Sequence, residues 1–292
     1  MGEIGLSSDD PPFDTIAIVG LGLIGGSIAL AVRERWPSVR VVAVDRPPVL
    51  AHAAGSGAID RAAANVGEIG KTDLVVLAAP VQQNVQLLAR LDAHVDGAAA
   101  VITDVGGTKR DIVAAAKRLS PGRCFLGGHP IGGAEHGGFG FARPDLFRGK
   151  PWIFTPDAST PSGVLDRLTH FVRGLGARPT TMNADDHDRL MAFVSHLPQL
   201  TASALMQVVG HAAADGLKLA GRGLTDTTRL ASSPVSSWRE VCAANADVLG
   251  AALDQLIATL TKLRADLQSG SAVEEVFDEA AKWRAELMKG RE

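Results

Sequence analysis

The chain of 292 residues has no tyrosine, two cysteines and aromatic residues at only 4%. The missing tyrosine selects no function by itself. Cys124 and Cys242 lie far apart, with no CxxC and no metal-ligand spacing. That pattern excludes a disulfide framework and a thiolate metal centre, and two reduced thiols in a cytoplasmic protein are expected. Charge of one sign is also lacking: 29 Lys and Arg stand against 32 Asp and Glu, a formal net charge of -3. No global field draws such a chain to nucleic acid or anionic lipid, so neither partner is expected. An acidic small molecule would have to be captured by locally placed cations. The charge-free stretch from Ile16 to Val32 falls short of the roughly twenty residues of a spanning helix. Its β-branched start and its glycines read instead as strand, turn and buried helix. The acidic, polar first twelve residues read as neither a signal nor a transit peptide. Leu6 stands where a myristoylation motif needs Ser or Thr.

What is present is a globular composition, 46% hydrophobic and 21% charged, at a length sufficient for two domains. Up to residue 183, short apolar runs alternate with helical stretches. Strands are expected at Thr15–Gly20, Arg40–Asp45, Leu74–Ala79, Ala100–Asp104, Cys124–Gly127, Trp152–Thr155 and Arg178–Met182. Helices are expected at Gly26–Glu34, Gln82–Leu91, Lys109–Leu119 and Pro161–Leu175. Near-continuous apolar strands between helices predict a doubly wound sheet, an α/β Rossmann-type dinucleotide-binding domain over residues 1–183. After Met182 the strands stop, and residues 184–292 read as an all-α domain. Asp185 to Ala214 is one long apolar helix that Pro198 should bend. Leu249, Leu253, Leu256, Leu260, Leu263 and Leu267 recur at spacings of four and three. A second stripe runs from Val273 through Phe277 and Trp283 to Leu287. Both stripes suit packing within the domain, or pairing of two copies into a homodimer through it.

Gly20-Leu21-Gly22-Leu23-Ile24-Gly25 fits GxGxxG between the first strand and the first helix. Gly20 permits the tight turn, Gly22 lets backbone approach a pyrophosphate, and Gly25 lets helix and strand pack closely. The phosphates would sit at the helix N-terminus, where free N–H groups favour anions. The second strand ends in Asp45, twenty residues after Gly25, placed to accept hydrogen bonds from ribose hydroxyls and to repel a 2′-phosphate. This favours NAD over NADP, with Arg46 partly offsetting the repulsion. Ala79 and Pro80 end the strand that borders the nicotinamide crevice, and Asp104 ends the next one.

Two strand ends carry polar chemistry: Thr103-Asp104-Val105-Gly106-Gly107-Thr108-Lys109 and Gly127-Gly128-His129-Pro130-Ile131-Gly132-Gly133-Ala134-Glu135. A histidine directly after a parallel strand, wrapped in glycines, stands over the cofactor crevice. Downstream come His187, Ser195-His196-Leu197-Pro198-Gln199, then Arg229 and Trp238 nine residues apart. In this order, behind GLGLIGGS, the set resembles the prephenate/arogenate dehydrogenase family from about Ile16 to about Trp238.

The resemblance implies NAD-dependent oxidative decarboxylation of prephenate to 4-hydroxyphenylpyruvate in tyrosine biosynthesis, or of arogenate to tyrosine directly. It implies that His129 draws the proton from the ring 4-hydroxyl as hydride leaves C4. Arg229 matches the arginine that grips a substrate carboxylate. Glu135, His187, His196 and Trp238 match positions lining the site. This chain departs from the family pattern in three places. Gly107 stands where a serine is frequent, and Thr108 or backbone N–H groups would have to substitute for it. Gln199 replaces a histidine of some members, and Ala134 a common threonine. A β-hydroxyacid dehydrogenase would share the architecture but needs a lysine in the helical domain, where the first is Lys218, after both histidines. A non-catalytic dinucleotide sensor would need Gly20, Gly22, Gly25 and Asp45 but neither His129 nor Arg229.

Overall fold

The computed structural model describes residues 10–94, 101–134 and 136–289. Glu135 lies outside them. Among the described residues eight strands form one sheet: β1 Thr15–Val19, β2 Arg40–Val44, β3 Arg61–Ala63, β4 Leu74–Leu77, β5 Val101–Asp104, β6 Cys124–Pro130, β7 Pro151–Thr155 and β8 Arg178–Thr181. Their order is β3-β2-β1-β4-β5-β6-β7-β8. The first six run parallel in the doubly wound order, whose switch point lies between β1 and β4. Strand β4, Leu-Val-Val-Leu, is buried throughout, as a strand covered on both faces must be. Two clusters, one around Ile18, Ile28 and Val76 and the other around Val19, Val75 and Ile102, form the core.

The run at Trp152–Thr155 differs from the parallel expectation. Strand β7 pairs antiparallel with β6, His129 opposite Ile153, and β8 then pairs parallel with β7. Apolar content reports burial on both faces and carries no information on strand direction. The three-residue β3 and the helix after β2 are too short for periodicity to reveal.

The helices of the α/β part are α1 Leu23–Arg35, α2 Pro47–Gly55, α3 Val81–His94, α4 Arg110–Ala116 and α5 Ser162–Gly174. Then follow α6 Ala184–Met191, α7 Leu197–Ala213, α8 Arg222–Thr228, α9 Val235–Ala244, α10 Ala246–Ala265 and α11 Ser271–Lys289. Between α6 and α7, Ala192–His196 form a π-helical turn. Pro198 has no N–H to offer the carbonyl four residues back, and the chain widens just before it.

The chain divides into two compact units, Met1–Asn245 and Ala246–Glu292. Helices α6 to α9 thus cluster with the sheet, beyond the 183/184 division read from the loss of strands. In the second unit, Asp266 caps α11, accepting from Ala272 N at 2.6 Å and Ser271 Oγ at 2.7 Å. Lys262 and Glu275 pair at 2.5 Å between α10 and α11. Phe277, Trp283 and Leu287 are exposed on α11, and Leu260 and Leu267 on the leucine stripe.

Candidate active site

The glycine turn is built by close approach. Gly20 has φ +100°, and a Cβ there would stand 2.7 Å from the Ala78 carbonyl, directly after β4. A Cβ on Gly25 would strike the Gly20 carbonyl oxygen at 1.9 Å, so α1 can begin this close to β1 only without side chains. A Cβ on Gly22 would meet nothing within 4 Å, which leaves an open cradle at the α1 N-terminus. Gly22 supplies no side-chain cap, so the first-turn N–H groups stay available to an anion. Just after β2, the Asp45 carboxylate accepts Leu21 N and Arg46 N, each at 2.6 Å, and ties the turn to the strand end. Arg46 points outward, its side chain 85% exposed. Open cradle, uncapped helix start and carboxylate together suit a dinucleotide.

A cleft of about 600 Å³ joins this turn to the second group of sequence motifs. One wall carries Gly22, Leu23, Ile24, Ala79, Pro80 and Gly107, and the other Gln199, Leu230 and Trp238. Beside Gly107 stands His129, partly exposed at the end of β6. His129 Nδ1 lies 2.8 Å from His187 Nε2, and His187 Nδ1 lies 2.7 Å from Asp188 Oδ1. His187 and Asp188 have no solvent exposure. Asp188 also accepts Lys109 N at 2.8 Å, Arg110 N at 3.0 Å and Arg110 Nε at 3.3 Å. Burial raises its pKa, but the His187 hydrogen bond and the Arg110 and Lys109 backbone amides outweigh this and hold the carboxyl below the usual carboxylate range. Burial holds His129 well below an ordinary imidazole, and His187, Lys109 and His196 nearby add repulsion.

His196 follows His187 by nine residues, about two and a half turns of α-helix, which would set the two on opposite faces. The π turn changes that phase. His196 Nδ1 lies 3.3 Å from Asn245 Nδ2, and that amide donates to Asp188 O at 2.8 Å. The His196 ring meets Trp238 edge-on at 5.9 Å. Burial lowers its pKa to about 4, with Asp188 opposing the shift and His187 adding to it.

The remaining sequence candidates separate into those facing the cleft and those supporting it. Gln199 is buried, and its amide donates to Leu230 O at 2.7 Å while accepting Ser233 Oγ at 3.1 Å. It therefore holds the turn of residues 229–233. Arg229 opens that turn, is exposed, and makes no ion pair among the described residues. Thr108 is buried and its Oγ1 has no partner among the described residues, so it is not presented to the cleft. Asp104 turns inward: it pairs with Lys109 Nζ and accepts Gly106 N at 2.8 Å and Gly128 N at 3.2 Å. Lys109, fully buried, also donates to Gly128 O at 2.8 Å. Burial lowers its pKa, partly offset by Asp104 and Asp188.

Sequence reasoning missed Asp188, Asn245 and the inward role of Lys109. An acidic residue directly after His187 was a signal for the first. Nothing local marked Asn245, whose partners lie up to 135 residues away, or the inward turn of Lys109, which also needs Gly128 O of β6.

A doubly wound sheet with a glycine turn, a carboxylate after β2 and a histidine after β6 defines a dinucleotide-dependent oxidoreductase. The chain belongs to the prephenate dehydrogenase family: the model of that family's nucleotide-binding domain matches residues 28–181, and the model of its dimerization domain matches 183–280. It is 33% identical over 267 residues to the prephenate dehydrogenase of Bacillus subtilis, covering 89% of this chain and 71% of that protein. It is 31% identical over 291 residues to the cyclohexadienyl dehydrogenase of Zymomonas mobilis, covering 94% and 96%. Among solved structures, the prephenate dehydrogenase from A. aeolicus in complex with hydroxyphenyl propionate and NAD+ superposes with a TM-score of 0.81 at 26% identity. That match covers 95% of this chain and 97% of the other.

Proposed function

We propose that this protein oxidatively decarboxylates prephenate with NAD, giving 4-hydroxyphenylpyruvate for tyrosine synthesis. The observation that carries the reading is the position of His129, at the edge of a cleft whose other end is the dinucleotide cradle. The Gly22 turn and the start of α1 would hold the pyrophosphate, and Asp45 would hold the adenosine ribose. A bound nicotinamide would supply the hydride acceptor for the substrate ring carbon. His129 takes the proton of the hydroxyl on that carbon, which becomes a carbonyl. The ring carboxylate then leaves as CO2, its bonding electrons aromatise the ring, and His129 returns the proton to the phenolate oxygen. Arg229 grips a substrate carboxylate with its guanidinium fork, and Gln199 sets the turn that carries it. Trp238 and His196 line the ring pocket. Glu135 belongs to this proposed site by its place in the sequence.

The keto acid prephenate is favoured over the amino acid arogenate. Among the described residues the carboxylate that lines the cleft is Glu240, and it already accepts Gln82 N at 3.2 Å. The functional domains follow the change in the sequence, residues 1–183 for the cofactor and 184–292 for substrate closure and pairing. The match to a dimerization domain and the exposed apolar stripe of α10 and α11 support a homodimer through the helical part. The site of action is the cytoplasm, where the dinucleotide is supplied. Incubation with NAD and prephenate, and separately with arogenate, tests the reading by the appearance of NADH absorbance. No NADH from either cyclohexadienol overturns it, and faster turnover of arogenate overturns the choice of substrate. Light scattering at micromolar concentration should give a dimer mass.

A further inference from the structure

We infer that His187 and Asp188 are positioning residues that lock the ring of His129 with its proton on Nδ1, leaving Nε2 as the base. This rests on the reading of His129 given above and deepens it.

The polarity of the chain follows from its buried end. Asp188 accepts two backbone N–H groups and Arg110 Nε, so it is a carboxylate and has only acceptors to offer. His187 Nδ1, 2.7 Å away, must therefore carry a proton. A neutral His187 then turns a lone pair on Nε2 toward His129 Nδ1 at 2.8 Å, and His129 must donate there. The free lone pair of His129 falls on Nε2, the atom facing Gly107 on the cleft wall.

The opposite polarity would need His187 as an imidazolium. Its ring has no solvent exposure, and the Asp188 carboxylate beside it is already shared with two backbone amides. Arg110 adds a further cation on Asp188. An untethered imidazole exchanges between its two tautomers, and only one of them can take the substrate proton at Nε2. When His129 does take it, the new charge is answered through His187 by the Asp188 carboxylate. Asp188 is itself anchored to the backbone at the start of α4, directly after the loop whose Gly106 and Gly107 line the cleft. The relay thus spans α6 and the α/β sheet.

Ring 15N shifts of the labelled, unmodified protein at neutral pH test the inference, with His129 assigned by comparison with His129→Asn. A protonated Nδ1 and a pyridine-like Nε2 are expected. A protonated Nε2 on His129 overturns the proposal. In kinetics, His187→Leu should lower kcat by about 10–10³, within the worth of a positioned base, with KM for prephenate and NAD affinity unchanged. His187→Gln, whose Oε1 can accept from His129 Nδ1, should restore kcat to within about tenfold of the original. A folded His187→Leu enzyme at the original rate overturns the relay. If His187→Leu does not fold, the nitrogen shifts decide alone. The two readings separate cleanly. Activity lost in His129→Asn with Nε2 protonated in the parent leaves the base assignment standing and removes the relay. Full activity in His129→Asn removes the base itself.

Discussion

Gly107 faces His129 across open space: a Cβ on Gly107 would stand 3.9 Å from His129 Nε2 and 3.8 Å from Val241 Cγ2. Both are ordinary van der Waals separations, and Gly107 does not have a positive φ. Gly107→Ser should therefore fold normally and place a hydroxyl beside the reacting atoms. One added hydrogen bond is worth about 0.5–1.5 kcal/mol, so kcat should rise by about two- to tenfold. A folded Gly107→Ser enzyme with reduced kcat would show that the bare backbone is what the reaction needs.

Asp45 should set the cofactor preference. Its carboxylate stands after β2 with two backbone donors on it, where a 2′-phosphate would meet like charge. NAD should be used at least about tenfold more efficiently than NADP, a difference of about 1.4 kcal/mol. Asp45→Ala should narrow that ratio and also raise KM for NAD, since Leu21 N loses its acceptor. Measured kcat/KM with each dinucleotide checks this, and equal use by the unmodified enzyme contradicts it.

His129 and Arg229 should fail in different ways. His129→Asn should lower kcat by about 10²–10⁴ with little change in KM, as expected for a lost general base. Arg229→Ala should chiefly raise KM for prephenate by about tenfold or more, because a carboxylate grip acts in ground and transition states alike. Burial, with the Lys109 ammonium nearby, holds the His129 pKa well below 6.5. The acid limb of kcat/KM should accordingly lie below that value. A limb at or above pH 6.5 would mean that another group takes the proton.

His196 couples stability to pH. Its pKa is about 4 in the fold and near 6.5 in the unfolded chain. Between these values the unfolded chain binds more protons, so stability falls as pH drops from 6.5 and levels off below 4. The loss is about 3 kcal/mol, and His129 adds to it with the same sign. Urea unfolding at pH 7 and pH 4.5 should show the decline, and His196→Phe should flatten it. An unchanged slope in that variant rules out His196 as the source.

Lys109 and Asp104 form an ion pair with 0% and 1% side-chain exposure. Lys109→Met would leave a buried carboxylate with only the Gly106 and Gly128 amides. Removing one partner of such a pair costs about 3–5 kcal/mol. Denaturant unfolding should show a loss of that size, and a loss below about 1 kcal/mol would mean the carboxyl simply takes up a proton.

Much of this protein was legible one-dimensionally, because its strongest signals are local. Gly20, Gly22, Gly25 and Asp45 lie within one β-α-β unit, and their spacing alone yields the dinucleotide cradle. Seven of the strands were expected from the sequence, most of them as near-continuous apolar runs, and His129 was read as following the run Cys124–Gly127. The antiparallel turn of β7 was not legible, since burial on both faces reads the same in either direction. Nor was the inward rotation of Asp104, whose partner Lys109 looks like any surface lysine until β6 closes over it.

The sequence by itself determined the fold class, the family and the glycine turn that opens α1. Only the tertiary structure decided which histidine faces what. His187 and His196 sit at a spacing that a regular helix would split, and the π turn before Pro198 changes their phase. Asp188, next to His187 in the chain, becomes part of the site only because the start of α4, 79 residues earlier, offers it two amide hydrogens. Hydrogen bonds between segments so distant depend on packing, and a pattern read along the chain contains the donors and acceptors without their pairing.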